Sequence, residues 1–200
     1  MSGEIGGPAN GEKARIRREV RERLRGVSRL AWRVAADAVA GLIGRHPAWT
    51  RAGIVGGYVP LSDELDLSDL LRQALAEGRR VAVPSFDPGS GLYLYREIRD
   101  WAADLRPGRF GIGEPGVECP PVPVTSLDFA LVPGIAFDVL GGRLGRGKGF
   151  YDRLLIQAVG VTCGVGLDEQ FLARVPVEAH DIRMNLIAVP AGLHEARAMD

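Results

Sequence analysis

The chain of 200 residues carries 25 basic and 25 acidic side chains, so its formal net charge is zero. This balance argues against a protein that binds nucleic acid through an overall basic field, and no apolar run approaches the ~20 residues of a membrane span. Cys119 and Cys163 are too few for a disulfide framework, and we expect both to be small buried residues of a cytoplasmic protein. We assign residues 12–200 to a single domain and the Gly-rich residues 1–11 to a disordered tail.

Two amphipathic helices are predicted at the start of the domain. The first covers residues 12–25, in which apolar side chains recur at every fourth position. Lys13 and Arg17 lie one helical turn apart, beside this apolar stripe. Ser28 is a suitable N-cap for the second helix, and Gly44 is a suitable end.

Apolar runs and helical segments then alternate along the chain. Buried strands are predicted at residues 52–59, 80–83, 92–98, 129–132, 161–165 and 186–189. Pro84 is predicted to end the strand at residues 80–83, and an ordered loop is predicted at residues 106–123. Two further helices are predicted. One is capped by Asp66 or Ser68 and ends at residue 76, and the other covers residues 153–159. Because strand–helix–strand connections favour parallel pairing, we expect an α/β fold of three layers, α/β/α, with a mostly parallel central sheet.

Polar residues follow several of these strands. Asp63 and Glu64 come after the first strand, Asp138 follows the strand at residues 129–132, and Asp168 follows the strand at residues 161–165. In open α/β sheets, ligands bind beyond the carboxyl ends of the strands. We therefore expect a site at that edge of the sheet, with Asp63 as a turn residue.

A glycine loop after residues 129–132 is the most informative segment of the chain. It consists of Gly145, Arg146, Gly147, Lys148, Gly149, Phe150, Tyr151 and Asp152. Its glycines permit turns that expose backbone N–H groups, and its cations and final carboxylate suit phosphate and Mg2+. The loop indicates a nucleoside triphosphate site without the Walker sequence, although a solvated surface loop is the alternative.

Together with motifs elsewhere, this loop resembles the 5-formyltetrahydrofolate cyclo-ligase family over residues 13–190. The motifs are Lys13-x3-Arg17 with Arg23, Tyr58-Val59-Pro60 with Glu64, Phe110-Gly111-Ile112 with Glu114-Pro115, residues 132–138, residues 143–152, and Pro176-x-Glu178-x-His180-Asp181. The resemblance implies a three-layer α/β/α fold and a monomer. It also implies the ATP- and Mg2+-dependent conversion of 5-formyltetrahydrofolate to 5,10-methenyltetrahydrofolate, in which the formyl oxygen takes the γ-phosphoryl group before N10 closes the ring. ADP and phosphate are released.

The resemblance also implies roles for individual residues. Nucleotide binding would fall to Lys13, Arg17, Arg143, Gly145, Arg146, Gly147, Lys148, Gly149, Phe150 and Tyr151. Folate binding would fall to Val59, Glu64, Arg146 and Phe150, and Mg2+ binding to Asp152 and Asp181. Arg146 and Lys148 would be catalytic, because cations stabilise the charge of a transferring phosphoryl group.

Each of these roles has an ordinary structural alternative. Lys13 and Arg17 could form a solvated helix face, and Asp152 could be an acid favoured by a helix N-terminus. Asp181 could be a surface loop acid, and His180 could be either a general acid or a structural hydrogen-bonding residue. For the chain as a whole, the alternatives are a non-catalytic folate- or nucleotide-binding paralogue and an unrelated enzyme of similar architecture.

Two positions depart from the pattern of many family members. Asn185 stands where an acid is frequent, and Val189 stands where a Thr is frequent. The loss of a charge and a hydroxyl at these positions could weaken Mg2+ binding.

Overall fold

The computed structural model describes residues 8–108 and 111–197. A sheet of eight strands in the order β13-β12-β10-β7-β1-β2-β3-β6 forms its centre. These strands are β1 (Ile54–Gly56), β2 (Arg80–Asp87), β3 (Leu92–Ile98), β6 (Pro121–Val122), β7 (Phe129–Pro133), β10 (Val161–Val165), β12 (Leu186–Val189) and β13 (Gly192–Glu195). The central strands β12, β10, β7, β1 and β2 are parallel, whereas β13, β3 and β6 add antiparallel edges.

Two smaller sheets complete the strands of the described chain. They contain β4 (Leu105–Pro107) with β5 (Gly113–Pro115), and β8 (Ala136–Asp138) between β9 (Arg143–Leu144) and β11 (Phe171–Leu172). The α-helices are α1 (Pro8–Leu24), α2 (Arg29–Gly44), α3 (Pro47–Thr50), α4 (Ser68–Ala76) and α5 (Phe150–Leu154). Among the described residues, no helix is both long and apolar enough to cross a membrane.

The side chains of the central strands alternate between two apolar layers. In β7, Phe129 and Leu131 belong to the cluster that contains the buried faces of α1, α2 and α4. Ala130 and Val132 belong to the opposite cluster, which contains Leu154 of α5. This alternation is the two-residue period of a strand that is buried on both faces. The predicted α/β fold with a mostly parallel sheet is therefore confirmed.

Helix boundaries follow the predicted capping chemistry at α2 but not at α4, where Leu67, and neither Asp66 nor Ser68, is the N-cap and its side chain makes no capping hydrogen bond. The Ser28 hydroxyl accepts a hydrogen bond from the Ala31 N–H at 3.1 Å, as expected of an N-cap for α2. By contrast, α1 begins at Pro8, so residues 8–11 belong to the helix and not to the predicted tail. The remainder of that tail, residues 1–7, lies outside the described residues.

Three other boundaries were predicted wrongly. Pro84 does not end β2, because β1 pairs with β2 only as far as Ala82, beyond which β2 pairs with β3 alone and tolerates a residue without an N–H. The helix predicted at residues 153–159 is instead the short α5, which begins within the glycine loop, directly after Gly149. The loop predicted at residues 106–123 contains part of β4 as well as β5 and β6.

Asp138 organises the turn between β8 and β9. One of its buried carboxylate oxygens accepts hydrogen bonds from the Leu140 and Gly142 N–H groups at 2.9 and 2.8 Å. The other accepts from the Val175 N–H at 2.7 Å, so a single side chain satisfies backbone groups of two segments. Asp138 was expected to face the ligand site, but it is a structural residue beneath it.

We predict that Asp138→Asn lowers the free energy of unfolding by about 2 kcal/mol. The amide nitrogen can only donate, so it faces a backbone N–H where the wild type has an acceptor oxygen. Urea unfolding measures the effect, with Asp37→Asn on the exposed side of α2 as the matched control. Equal unfolding free energies for the two variants would contradict the assignment.

Candidate functional site

A cavity of about 470 Å³ lies at the carboxyl ends of the central strands. Val59 follows β1, Pro84 belongs to β2 and Pro133 ends β7, and all three contribute to its wall. Every residue to which the family resemblance assigned a role lines this cavity. These residues are Lys13, Arg17, Val59, Glu64, Arg143, Gly145, Arg146, Gly147, Lys148, Gly149, Phe150, Tyr151, Asp152 and Asp181. Their individual roles stay predictions.

Lys13 enters the cavity from α1 and is buried there. Its ammonium donates to Asp181 Oδ2 at 2.6 Å and to Glu178 Oε2 at 2.9 Å. Burial opposes the charge, but the hydrogen bonds to Asp181 and Glu178 outweigh it and raise the pKa of Lys13. A solvated helix face is therefore excluded for Lys13, because the side chain is both enclosed and paired.

Arg17 connects α1 to the glycine loop. Its Nε donates to the Gly145 carbonyl at 2.8 Å. Gly147 and Gly149 have φ values of +94° and +58°, which non-glycine residues rarely adopt. The loop thus has a backbone path that requires glycine, and α1 holds one end of it.

A second cation supports the loop from behind. Arg143 is buried, and its Nη2 donates to Asp152 Oδ1 at 2.9 Å. The same oxygen accepts from the Ile182 N–H at 3.2 Å. The Arg143 guanidinium also lies 5.5 Å from the centre of the Tyr151 ring. In this arrangement, Arg143 orients Asp152 and Tyr151.

Arg146 crosses the cavity to the loop after β1. Its Nη2 lies 2.5 Å from Asp63 Oδ1 and 3.3 Å from Glu64 Oε1. The Glu64 side chain is only 11% exposed, and its other oxygen accepts from the Leu61 N–H at 3.1 Å. Burial raises the pKa of the Glu64 carboxyl, although the Leu61 N–H and Arg146 act against this shift. Asp63 lies in a turn, as expected, and its carboxylate also pairs with the site cation Arg146.

Aromatic rings form the apolar wall of the cavity. Tyr93 packs edge-to-face on Phe150 with the ring centres 4.6 Å apart, and Phe150 packs on Tyr151 at 4.9 Å. Tyr58 is fully enclosed and donates to the Leu65 carbonyl at 2.5 Å. Flat rings beside fixed charges suit a ligand that has both an aromatic part and polar edges.

The acidic groups near Lys13 include candidate metal ligands. Three residues each offer one possible ligand atom, and these atoms all lie within 4.8 Å of one another: Glu178, His180 and Asp181. Asp181, one of the two predicted Mg2+ ligands, belongs to this group, whereas Asp152 does not. The carboxylate oxygens that line the cavity are the ligand type that Mg2+ prefers, so the donors present fit this ion. His180 is an uncommon ligand for Mg2+.

Several residues of the cavity wall were missed as site residues. They are Tyr58, Leu61, Tyr93, Ile112, Glu114, Leu144 and Glu178. Glu114 and Glu178 lie in the motifs quoted above. A charged side chain in an otherwise apolar or Pro-rich segment was the sequence signal that could have identified them as site residues. Tyr93 gave no signal, because nothing in a strand sequence shows that a particular ring faces a cavity.

Conversely, Asp168 was expected at this edge but accepts a hydrogen bond from the Ala191 N–H at 3.0 Å and is not part of the wall.

The two departures from the family pattern lie outside the cavity. Asn185 Oδ1 accepts from the Thr162 N–H and hydroxyl at 2.8 and 2.9 Å, at the amino end of β10. Val189 is buried in the apolar layer that contains α5. Neither residue lines the cavity wall, so neither substitution removes a group from it.

Comparisons with known proteins identify the family of this chain. The model of the 5-formyltetrahydrofolate cyclo-ligase family matches residues 9–190. A protein of Mycolicibacterium smegmatis named 5-formyltetrahydrofolate cyclo-ligase is 34% identical over 145 residues, which are 68% of this chain and 73% of that protein. A protein of the same name from Escherichia coli K12 is 33% identical over 159 residues, which are 75% of this chain and 85% of that protein.

Solved structures show the same fold. The NMR structure of 5,10-methenyltetrahydrofolate synthetase from Aquifex aeolicus superposes with a TM-score of 0.83 at 31% identity and covers 94% of each chain. A 5,10-methenyltetrahydrofolate synthetase from Mycoplasma pneumoniae superposes with a TM-score of 0.70 over 89% of this chain and 98% of that one, and at 16% identity this likeness supports the fold alone. Since the family model matches nearly the whole chain and close relatives share its name, this chain belongs to the 5-formyltetrahydrofolate cyclo-ligase family.

Proposed function

We propose that this protein converts 5-formyltetrahydrofolate to 5,10-methenyltetrahydrofolate at the cavity, consumes ATP and Mg2+, and releases ADP and phosphate. Family membership supports the overall reaction. The observation that carries the proposal for this site is that the glycine loop with its cations and the buried Glu64 line one cavity. A phosphate donor and a folate can therefore meet there.

The phosphate half of the site consists of α1 and the glycine loop. Lys13, Arg17, Arg146 and Lys148 line the cavity and would contact phosphate oxygens. Arg143 would act indirectly, because its guanidinium holds Asp152 and lies against Tyr151. The geometry supports this division of roles, since Arg143 is almost completely enclosed behind the loop.

The folate half of the site consists of the loop after β1 and the aromatic wall. Glu64 would accept hydrogen bonds from N–H groups of the pterin ring, and Phe150 and Val59 would contact its faces. A carboxylate that is 11% exposed forms stronger hydrogen bonds than one in water, because little solvent competes for its oxygens. Glu64 therefore has the burial that a selective contact requires.

Asp152 and Asp181 would hold Mg2+, with Glu178 nearby. When bound, the ion would neutralise phosphate charge. Asp181 Oδ2 already accepts from Lys13 and from the Glu178 N–H at 2.8 Å, so this oxygen is oriented by two donors. Burial opposes the charge of Asp181, but the hydrogen bonds from Lys13 and the Glu178 N–H, together with the nearby positive charge, outweigh it and lower the pKa of this carboxyl. Asp181 thus stays ionised, as a ligand of a hard cation must.

The chemistry requires positioning more than a protein nucleophile. Hydroxide is a poor leaving group, so the formyl oxygen is phosphorylated first, and phosphate departs when N10 bonds to the formyl carbon and loses its proton. Arg146 and Lys148 would stabilise the charge that develops on the transferring phosphoryl group. The cavity would hold the formyl oxygen in line with that group.

We further propose that the chain from helix α1 onward works as one domain, as a monomer in the cytoplasm. The two cysteines, Cys119 and Cys163, are unpaired and buried, which suits a reducing compartment. The zero net charge gives no basic field for nucleic acid.

The first test follows the absorbance of the methenyl product with 5-formyltetrahydrofolate, ATP and Mg2+. The wild type should form product only when ATP and Mg2+ are both present. Arg146→Ala should lower kcat by a factor on the order of 100 to 1000, because it removes a cation from the developing phosphoryl charge.

Arg33→Ala, on the exposed side of α2, is the matched control and should retain wild-type kcat. A folded wild-type protein that binds ATP but yields no product would reject the proposed reaction. Wild-type kcat in Arg146→Ala would reject the role of this residue while leaving the reaction in place.

The pH dependence of KM for 5-formyltetrahydrofolate tests Glu64. Burial raises its pKa, so its carboxylate is protonated at a higher pH than an ordinary Glu, whose pKa is about 4.3. As the pH falls through this raised pKa, the carboxyl loses its second acceptor oxygen, and KM should rise. Glu64→Gln should raise KM at every pH, and the rise of KM at low pH should be absent in this variant.

Glu169→Gln, an exposed substitution outside the cavity wall, is the control and should keep the wild-type profile. If KM of Glu64→Gln still rose at low pH as it does in the wild type, another group would be responsible for the pH dependence. That result would contradict the role of Glu64.

A further inference from the structure

Two adjacent carboxylates share the guanidinium of Arg146. Its Nη2 lies 2.5 Å from Asp63 Oδ1, and both Nη2 and Nε lie 3.3 Å from Glu64 Oε1. Asp63 and Glu64 follow β1, whereas Arg146 follows β9. The ion pairs therefore join the two walls of the cavity.

The two carboxylates differ in what else they can reach. Glu64 lines the cavity and is 11% exposed, whereas Asp63 is 42% exposed and lies outside the wall. In the proposed reaction the pterin donors engage Glu64, where they compete with Arg146 for the same oxygen. Asp63 does not line the cavity, so its bond to Arg146 can persist when the substrate is bound.

Arg146 needs such a partner because its backbone constrains it little. It lies between Gly145 and Gly147, and the φ value of +94° at Gly147 is open to few other residues. A long side chain on a glycine-rich loop has many rotamers, and ordering it costs conformational entropy. A carboxylate that holds the guanidinium before the reaction removes part of this cost.

We propose that Asp63 is a positioning residue that holds Arg146 at the cavity while Glu64 is engaged by the substrate. The proposal rests on the proposed function, since it concerns the same site. Burial opposes the charge of Arg146, but the bonds to Asp63 and Glu64 outweigh it and raise the pKa of this guanidinium, which is consistent with a stable pair.

The test is Asp63→Asn, which keeps the size of the side chain and removes its charge. We expect kcat to fall about fivefold, the factor that corresponds to one partly exposed charge pair. KM for 5-formyltetrahydrofolate should stay within about twofold, because Glu64 must release Arg146 in both proteins. Asp63→Glu restores the charge and should recover part of kcat.

Asp69→Asn is the matched control. Asp69 pairs with Arg72 at 2.7 Å on the exposed surface of α4, so this variant loses a similar ion pair away from the cavity. Its kcat should equal that of the wild type. Equal kcat values for Asp63→Asn and Asp69→Asn, with an active wild type, would overturn the proposal and leave the proposed function intact.

A double-mutant cycle separates positioning from a general structural effect. In the Arg146→Ala background, Asp63→Asn should cause no further loss of kcat, because the side chain that Asp63 positions is absent. Additive losses would show that Asp63 acts through something other than Arg146, and would overturn the proposal. If the wild type itself formed no product, the proposed function would fail, and this role would fail with it.

Discussion

The charges at the carboxyl edge of the sheet impose the main constraint on this structure. A cation that is removed from water needs a partner, and the buried Lys13 and the partly exposed Arg146 both pair with carboxylates from distant segments. Lys13 pairs with Asp181, 168 residues away, and Arg146 pairs with Glu64, 82 residues away. Helix α1, the loop after β1, the glycine loop and residues 178–181 are therefore assembled around one another, and the cavity is the space between them.

Ligand binding at such a site amounts to an exchange of partners. Phosphate oxygens would replace carboxylate oxygens around Lys13 and Arg146, so the cations need little rearrangement to meet a new anion. Each of these cations has two carboxylate partners, one that we assign to a ligand and one that we do not. The carboxylate without an assigned ligand keeps the cation paired while the other carboxylate exchanges its bonds.

The backbone beneath the cavity is held by buried polar side chains. Gln170 donates to the Gly134 carbonyl at 2.8 Å, where β7 ends at the cavity wall. Asp138 accepts from the Gly142 N–H in the turn that leads to Arg143 and from the Val175 N–H of a separate segment. Fixed backbone at these points keeps the glycine loop in register with the sheet, as a site built on loops requires.

The sequence by itself determined the elements whose signals are local. The apolar run of β7, the N-cap at Ser28 and the glycine loop were all predicted, because strand burial, capping and turn chemistry depend on neighbouring residues. The rule for carboxyl ends of parallel strands also predicted that Glu64 and the glycine loop share a cavity, but it wrongly placed Asp138 and Asp168 there. Only the tertiary structure decided that Asp63 pairs with Arg146 and that Asp138 supports a turn, because these contacts depend on the distances between segments that are remote in the chain.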